Sequence, residues 1–237
     1  MASITKMIQE NDPSKEKFES IKLALDSLSK LADYKLKDLQ EVIKRQLADN
    51  SKFKTTHQDA SQYGMHITAT DDPDNITNAL DGIIDGFCAG SSAGTRKAVG
   101  GIVGTALTAL LGAGAGTESL QVSYTAIAED DILKRVDVAY WSYGIAAKGI
   151  AEKKQTAMAY VCVKSYIDAK DVHATELVAM YRQAARLAGK PEDAKAILEA
   201  LEEATKVLKA MQDSPANTAE NHRMVMSARL MAPVTPQ

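Results

Sequence analysis

The chain is poor in cysteine and in aromatic residues, and it lacks a strong charge of either sign. Its 237 residues include two cysteines, and aromatic residues make up 5% of the total. Two cysteines cannot build a disulfide framework, so we expect Cys88 and Cys162 to be small buried thiols. The formal net charge is −3. This charge gives no electrostatic basis for binding nucleic acid, and we expect no such partner.

Signals for export and for catalysis are also missing. The first residues, MASITKMIQENDPSK, contain no apolar core of a secretory signal peptide. We therefore expect synthesis in the cytoplasm and, for action at a membrane, export by a route that needs no such signal. The sequence has no P-loop or dinucleotide-binding pattern and no zinc or EF-hand spacing. We predict a protein that is not an enzyme and has no catalytic residues, cofactor or metal.

Glycine is present in quantity, and most of it lies in one stretch. Ten of the 14 glycines fall within residues 81–117, the glycine-rich segment, DGIIDGFCAGSSAGTRKAVGGIVGTALTALLGAGAGT. Small residues in this segment recur at intervals of mostly four: Gly82, Gly86, Gly90, Gly94, Gly100, Gly104, Thr108, Gly112 and Gly116. Residues four apart stack on one face of a helix, so the spacing predicts grooves without side chains.

Such grooves need a partner that fills them. Glycine inside a helix costs about 0.8–1.0 kcal/mol relative to alanine. Ten glycines would therefore cost roughly 10 kcal/mol, which is comparable with the whole stability of an ordinary domain. Close approach of another helix backbone offsets this cost in membrane helix pairs. We predict a helical hairpin over residues 76–116, with legs at 76–90 and 98–116.

Two interpretations of this hairpin remain open. Residues 98–117 carry no charge and would form a helix about 30 Å long, which matches the core of a bilayer. Asp81 and Asp85 in the first leg oppose a permanent span and would face a water-filled lumen after insertion. The hairpin is then held in a soluble bundle and moves into lipid as a homo-oligomer. The other interpretation is tight packing of the grooves inside a soluble bundle or subunit interface.

The sequence before the glycine-rich segment predicts one long helix. Apolar residues at steps of three and four run from Phe18 to Leu47 and predict an amphipathic helix over 13–50. Residues 52–70 have weak periodicity, which is compatible with a loop or a short helix.

The sequence after the segment predicts more helices. No proline occurs between residues 120 and 169, and apolar residues recur at steps of three and four from Leu133 to Ile150. This pattern predicts a long helix over 117–170. The other predicted elements are a helix–turn–helix over 171–213 and a tail over 214–237. The whole chain, 1–237, would then be a single all-α domain, a bundle of long amphipathic helices with an embedded glycine-zipper hairpin.

Two groups of residues stand out within the predicted 117–170 helix. Tyr140, Trp141 and Tyr143 form the densest aromatic patch of the chain. They are interpreted either as core or interface anchors or as a belt at a membrane surface. The acidic residues 129–131 are expected on a solvated helix face.

The predicted layout resembles that of a class of toxins. A glycine-rich apolar hairpin between Gly82 and Gly116, flanked by long amphipathic helices, is similar to the arrangement in α-helical pore-forming toxins of the cytolysin A class. Arg96 and Lys97 depart from that layout, because they put charge near the hairpin tip. The resemblance implies a protein that assembles with its own copies and perforates membranes. The alternative is a structural protein that forms a ring, shell or filament by close helix packing without lipid.

Overall fold

The structure, a computed structural model, describes residues 15–49, 53–69, 87–88, 95–97, 99–100, 118–146, 154–187 and 191–213. In chain order its elements are helix α1 (Lys15–Ala48), strands β1 (Thr55–Ala69), β2 (Glu118–Glu129), β3 (Ile132–Ala146) and β4 (Lys154–Ile167), a short 3₁₀ helix (Ala169–Asp171), and helices α2 (Ala174–Leu187) and α3 (Pro191–Asp213). The four strands form one antiparallel sheet in the order β1-β4-β3-β2.

This sheet overturns the predicted all-α bundle, and the fold is mixed α/β. Residues 117–170, predicted as one long helix, contain β2, β3 and β4, and residues 52–70 contain β1. Strands β3 and β4 are buried on both faces over most of their described length. Apolar residues therefore occupy odd and even positions alike, and a subset at steps of three and four arises without any helix. The strand signal was the enrichment in valine, isoleucine and tyrosine.

A two-residue turn joins β2 to β3. Glu129 pairs with Ile132, and the two residues between them, Asp130 and Asp131, have φ angles of 54° and 59°. Positive φ at both central positions is the mark of a type I′ turn, whose twist suits an antiparallel hairpin. Aspartate tolerates this backbone conformation better than most residues do. The expected solvated helix face over 129–131 is therefore wrong: these residues form a strand end and a turn, and Glu129 is buried.

One face of the sheet, the helix face, is covered over much of its length by α1. The buried residues of α1 follow helical spacing: Leu25, Leu28, Ala32, Leu39 and Ile43. They pack against alternate residues of β3 and β4, including Ala139, Trp141, Ala159 and Val161. Alternate strand residues share a face, so this helix buries a single face of both strands.

Helices α2 and α3 cover the same face near the β2–β3 turn. Leu177 of α2 and Ile197 of α3 pack with Leu133 and Ile167 of the sheet. The thioether sulfur of Met180 accepts a hydrogen bond from the Ala126 backbone N–H at 3.3 Å. This bond satisfies a backbone donor of strand β2. These two helices lie within the range predicted as a helix–turn–helix.

The opposite face, the segment face, carries part of the glycine-rich segment. Phe87, Cys88 and Val99 of the segment pack in one cluster with Val138 of β3 and Cys162 of β4. The described residues of the segment are Phe87, Cys88, 95–97, Val99 and Gly100. The rest of the predicted hairpin, and the 214–237 tail, lie outside the described residues. No helix in the described part of the chain has both the length and the apolar character needed to cross a membrane.

Candidate functional site: the contact between the glycine-rich segment and the sheet

Polar contacts join described residues of the glycine-rich segment to the rest of the molecule. Lys164 Nζ donates to the Phe87 carbonyl oxygen at 3.4 Å, and Thr95 Oγ1 donates to the Ala128 carbonyl oxygen at 3.4 Å. Lys97 Nζ lies 2.9 Å from Asp193 Oδ1 of α3, in a partly exposed ion pair. The first two distances are long for hydrogen bonds, and exposed ion pairs contribute roughly 0–1 kcal/mol. Each of these contacts is individually weak.

Beneath the segment lies the ion cluster, which consists of the buried ions Glu129, Lys134 and Lys164, the half-buried Asp59 and the buried Tyr166. Lys134 Nζ donates to Glu129 Oε2 at 2.6 Å and to Asp59 Oδ2 at 3.0 Å. Lys164 Nζ donates to both Glu129 oxygens, at 3.0 and 2.9 Å. Tyr166 OH donates to Asp59 Oδ1 at 3.0 Å. One glutamate therefore binds two ammonium groups, and the side chains of these three ions are only 2–7% exposed.

The strand register assembles this cluster. Lys134 of β3 pairs with Tyr166 of β4, and Lys164 of β4 pairs with Val136 of β3. The two lysines therefore lie on the segment face, two positions apart across the β3–β4 ladder. Glu129 ends β2 beside the type I′ turn, and Asp59 lies where the β1 register shifts. Residues from all four strands meet at one place.

Ion pairing keeps Lys134 charged. Burial lowers the pKa of Lys134, but its hydrogen bonds to Glu129 and Asp59, together with their charges, outweigh burial and raise the pKa above 10.5. With both lysines and both carboxylates ionised, the cluster is formally neutral. Buried ion pairs of this kind add little net stability, because desolvation offsets their attraction, whereas removing one partner is strongly destabilising.

The segment also contacts the cluster through an aromatic ring. Lys164 Nζ lies 5.4 Å from the centroid of the Phe87 ring, and Lys134 Nζ lies 5.2 Å from that of Tyr166. Both distances suit a cation–π contact. Lys164 therefore contacts Phe87 twice, through its ring and through its carbonyl oxygen.

Two further polar groups on the segment face are buried without a hydrogen bond. Within the described part of the chain, Ser123 Oγ and Tyr140 OH have no hydrogen-bond partner. Burial raises the pKa of the Tyr140 phenol. An unsatisfied buried polar group costs about 1–3 kcal/mol. Covering this face of the sheet is therefore opposed by both its ions and its hydroxyl groups.

A second buried ion pair lies on the helix face and has a different role. Asp137 Oδ1 accepts from Arg135 Nε at 3.0 Å, from Arg135 Nη2 at 2.7 Å and from Gln46 Nε2 of α1 at 2.7 Å. Burial raises the pKa of Asp137, against the opposing effect of the Arg135 charge. This pair fastens the end of α1 to the sheet.

The residues predicted to form the functional hairpin are only partly described. Around Gly100, no described atom other than those of its chain neighbours and its own helix backbone lies within 4 Å of the position that a Cβ would take. The structure thus brings no described backbone into the groove at this glycine. The remaining predicted residues lie outside the described part of the chain: Gly82, Gly86, Gly90, Gly94, Gly104, Thr108, Gly112 and Gly116, with Asp81 and Asp85.

The predicted aromatic patch is divided between the two faces of the sheet. Tyr140 is buried on the segment face, whereas Trp141 is buried on the helix face, where Tyr143 stacks near it with ring centroids 6.3 Å apart. Trp141 Nε1 donates to Glu118 Oε1 at 2.7 Å. In this structure Tyr140 and Trp141 are core residues.

The sequence reasoning missed the ion cluster. Its signal was present, because Lys134 and Lys164 interrupt the apolar runs ILKRVDVAY and AYVCVKSYI. A lysine inside a buried strand requires a buried carboxylate, but the strands had to be recognised first. Among the described residues, no group of three or more His, Cys, Asp or Glu side chains is arranged to hold a metal ion.

Comparison with known proteins assigns this chain to no family. Nothing found bears on the resemblance to the cytolysin A class, which stays a prediction. No protein-family model, no curated protein and no solved structure matches this chain.

Proposed function

We propose that this protein acts on membranes: the glycine-rich segment leaves the segment face and inserts into lipid, where copies of the chain assemble. The observation that carries the proposal is the packing of an apolar segment over buried ions. Phe87, Cys88 and Val99 cover a face that holds Glu129, Lys134 and Lys164. An apolar segment packed over buried ions can leave the sheet when its apolar residues enter another apolar environment, such as a bilayer.

The free energy of releasing the segment from the sheet depends on whether lipid is present. In water, release exposes apolar side chains of both the segment and the sheet, which is unfavourable by about 25 cal/mol per Å². At a bilayer, the uncharged residues 98–117 enter hydrocarbon instead, while the ion cluster and the Tyr140 hydroxyl gain water. A membrane therefore favours the open state by differential interaction with the two states.

The glycine pattern supports assembly of the released segment. Gly100 belongs to the pattern of small residues at intervals of mostly four. Small residues at four-residue spacing allow helix backbones to approach closely inside a membrane. Asp81 and Asp85 would then face a water-filled lumen.

The test is release of a dye from liposomes of phosphatidylcholine and phosphatidylglycerol. We expect the wild-type protein to release the dye and to float with the liposomes. A Gly104→Leu variant fills the groove and should float but release little dye, because copies cannot pack closely. Gly104→Ala is the matched control, since alanine keeps the groove shallow. The proposal fails when the wild type neither floats nor releases dye.

A second candidate function is assembly into a ring, shell or filament without lipid. The spacing of small residues in the glycine-rich segment favours it as well, because a neighbouring copy can fill such grooves in water as in lipid. Size-exclusion chromatography with light scattering, and electron microscopy, separate the two. Ordered particles from a wild-type protein that is inactive on liposomes support this second function.

A further inference from the structure

We propose that Cys88 and Cys162 form a redox lock on the glycine-rich segment. A disulfide between them ties the segment to β4 and holds the cover closed, and its reduction frees the cover. The lock rests on the proposed function for its purpose, although its chemistry is tested without any membrane.

Geometry brings the two thiols to the same contact. Cys88 is 1% exposed and Cys162 is 6% exposed, and both belong to the cluster between the segment and the sheet. Lys164, two residues beyond Cys162 on the same face of β4, donates to the carbonyl oxygen of Phe87, the residue before Cys88. The backbone next to Cys88 therefore lies within reach of the Lys164 side chain, on the face of β4 that carries Cys162.

Both cysteines of the chain lie at this contact. The sequence contains two cysteines, and one lies on each side of the contact that must open. Both are in the thiol form. Burial, and to a smaller extent the nearby Cys88 sulfur, raise the pKa of Cys162 to about 12. The Cys88 sulfur therefore lies close enough to disfavour ionisation of Cys162.

The chemistry needs a small-molecule disulfide as oxidant, for which glutathione disulfide is the probe. The Cys88 thiolate attacks one sulfur of the probe, forms a mixed disulfide and releases one glutathione thiol. Cys162 loses its proton and attacks the Cys88 sulfur, which forms the Cys88–Cys162 bond and releases the second glutathione thiol. The two electrons lost by the protein thus end on glutathione. A reducing thiol reverses both steps.

Burial sets the order of events. A protonated, buried thiol reacts slowly, so the first attack requires brief opening of the cover. Reclosure then brings Cys162 to the mixed disulfide, where the reaction is intramolecular. The lock therefore captures the closed state.

The first experiment treats the folded wild-type protein with glutathione disulfide at mildly alkaline pH and maps the products by peptide mass spectrometry. We expect an intrachain Cys88–Cys162 disulfide in a monomer. Cys162→Ser should instead keep a glutathione adduct on Cys88. Stable glutathione adducts on the wild type, disulfide-linked dimers or a wild type that remains reduced each overturn the lock.

The second experiment measures the consequence. We expect the oxidised wild type to lose dye release from liposomes and to regain it on reduction. Dye release by the Cys88→Ser/Cys162→Ser variant should be unchanged by either treatment. Dye release that is equal in the oxidised and reduced forms overturns the lock but not membrane action. When no form releases dye, the proposed function fails, and hydrogen exchange then tests the lock. The lock is overturned when the Phe87–Cys88 region of the oxidised protein is no better protected from exchange than that of the reduced protein.

Discussion

At the scale of single residues, the ion cluster is the most informative feature of the molecule. Glu129 accepts hydrogen bonds from both Lys134 and Lys164, and the side chains of all three are almost fully buried. Charged residues are rarely buried unless they are paired, and here the pairing depends on one carboxylate. The stability of the segment face should therefore respond sharply to changes at Glu129.

The first prediction concerns Glu129→Gln. The substitution removes the charge that compensates two buried ammonium groups, so we expect the free energy of unfolding to fall by about 3 kcal/mol or more. Urea denaturation measures it. The matched control is Glu41→Gln, which breaks an exposed ion pair with Lys44 on α1 and should change nothing measurable. Equal losses of unfolding free energy for the two substitutions would contradict the expected contribution of Glu129 to stability.

The second prediction concerns pH. The pKa of Lys134 in the folded protein is raised above the ordinary 10.5. Its contribution to stability is therefore complete below pH 10.5 and is lost as the pH rises through the raised pKa. We expect urea denaturation of the wild type to show this loss, and a Lys134→Met variant to lack that part of the alkaline decline. Parallel curves for the two proteins would contradict the pKa shift.

The third prediction concerns Gly64 on β1. A Cβ at this position would lie 2.9 Å from the Tyr160 hydroxyl oxygen, so the tyrosine side chain must shift. We expect Gly64→Ala to destabilise the fold by about 1 kcal/mol in urea denaturation. In a Tyr160→Leu background, which removes the conflicting atoms, the same change should be close to neutral. An equal cost in both backgrounds would exclude the steric cause.

At the scale of elements, the sheet has two different ends. The β2–β3 turn lies at one end, together with the start of β1 and the end of β4. At the other end, Ala69 pairs with Gln155, Glu118 pairs with Tyr143, and Ala146 pairs with Lys154. The connections 70–117 and 147–153 both leave from this second end, so the glycine-rich segment is an insertion between two edge strands.

The fourth prediction tests the hairpin turn. Asp131 has φ of 59°, a conformation that costs most residues roughly 1–2 kcal/mol and glycine almost nothing. We expect Asp131→Gly to raise the free energy of unfolding by about 0.5 kcal/mol, because Asp-Gly is a favoured type I′ sequence. Asp131→Val should lower it by about 1 kcal/mol or more. The reverse order of stability in urea would contradict the turn.

The elements differ in how well the sequence predicted them. Helix α1 lies within the range 13–50, where apolar steps of three and four predict a helix, and α2 and α3 lie within the range 171–213 predicted as a helix–turn–helix. Strands β3 and β4 were missed, since burial on both faces removes the alternation that marks a strand at a sheet surface. The ion cluster was missed as a consequence, because its members meet only through strand pairing.

At the scale of the whole molecule, the sheet separates two covers of different character. Helix α1 is joined to the helix face by apolar packing and by the buried Arg135–Asp137 pair with Gln46. The described residues of the glycine-rich segment pack on the other face, which holds the ion cluster. Under the proposed function, the helices remain on the sheet and the segment is the part that leaves it.

The fifth prediction tests that movement directly. A polarity-sensitive fluorophore is attached at Gly104→Cys in a chain whose own cysteines are serine, and liposomes carry quenchers on their acyl chains. We expect the fluorophore to be quenched from within the bilayer, while a label at Leu198→Cys on the exposed side of α3 stays unquenched. A label at position 104 that the acyl-chain quenchers never reach would contradict insertion of the glycine-rich segment.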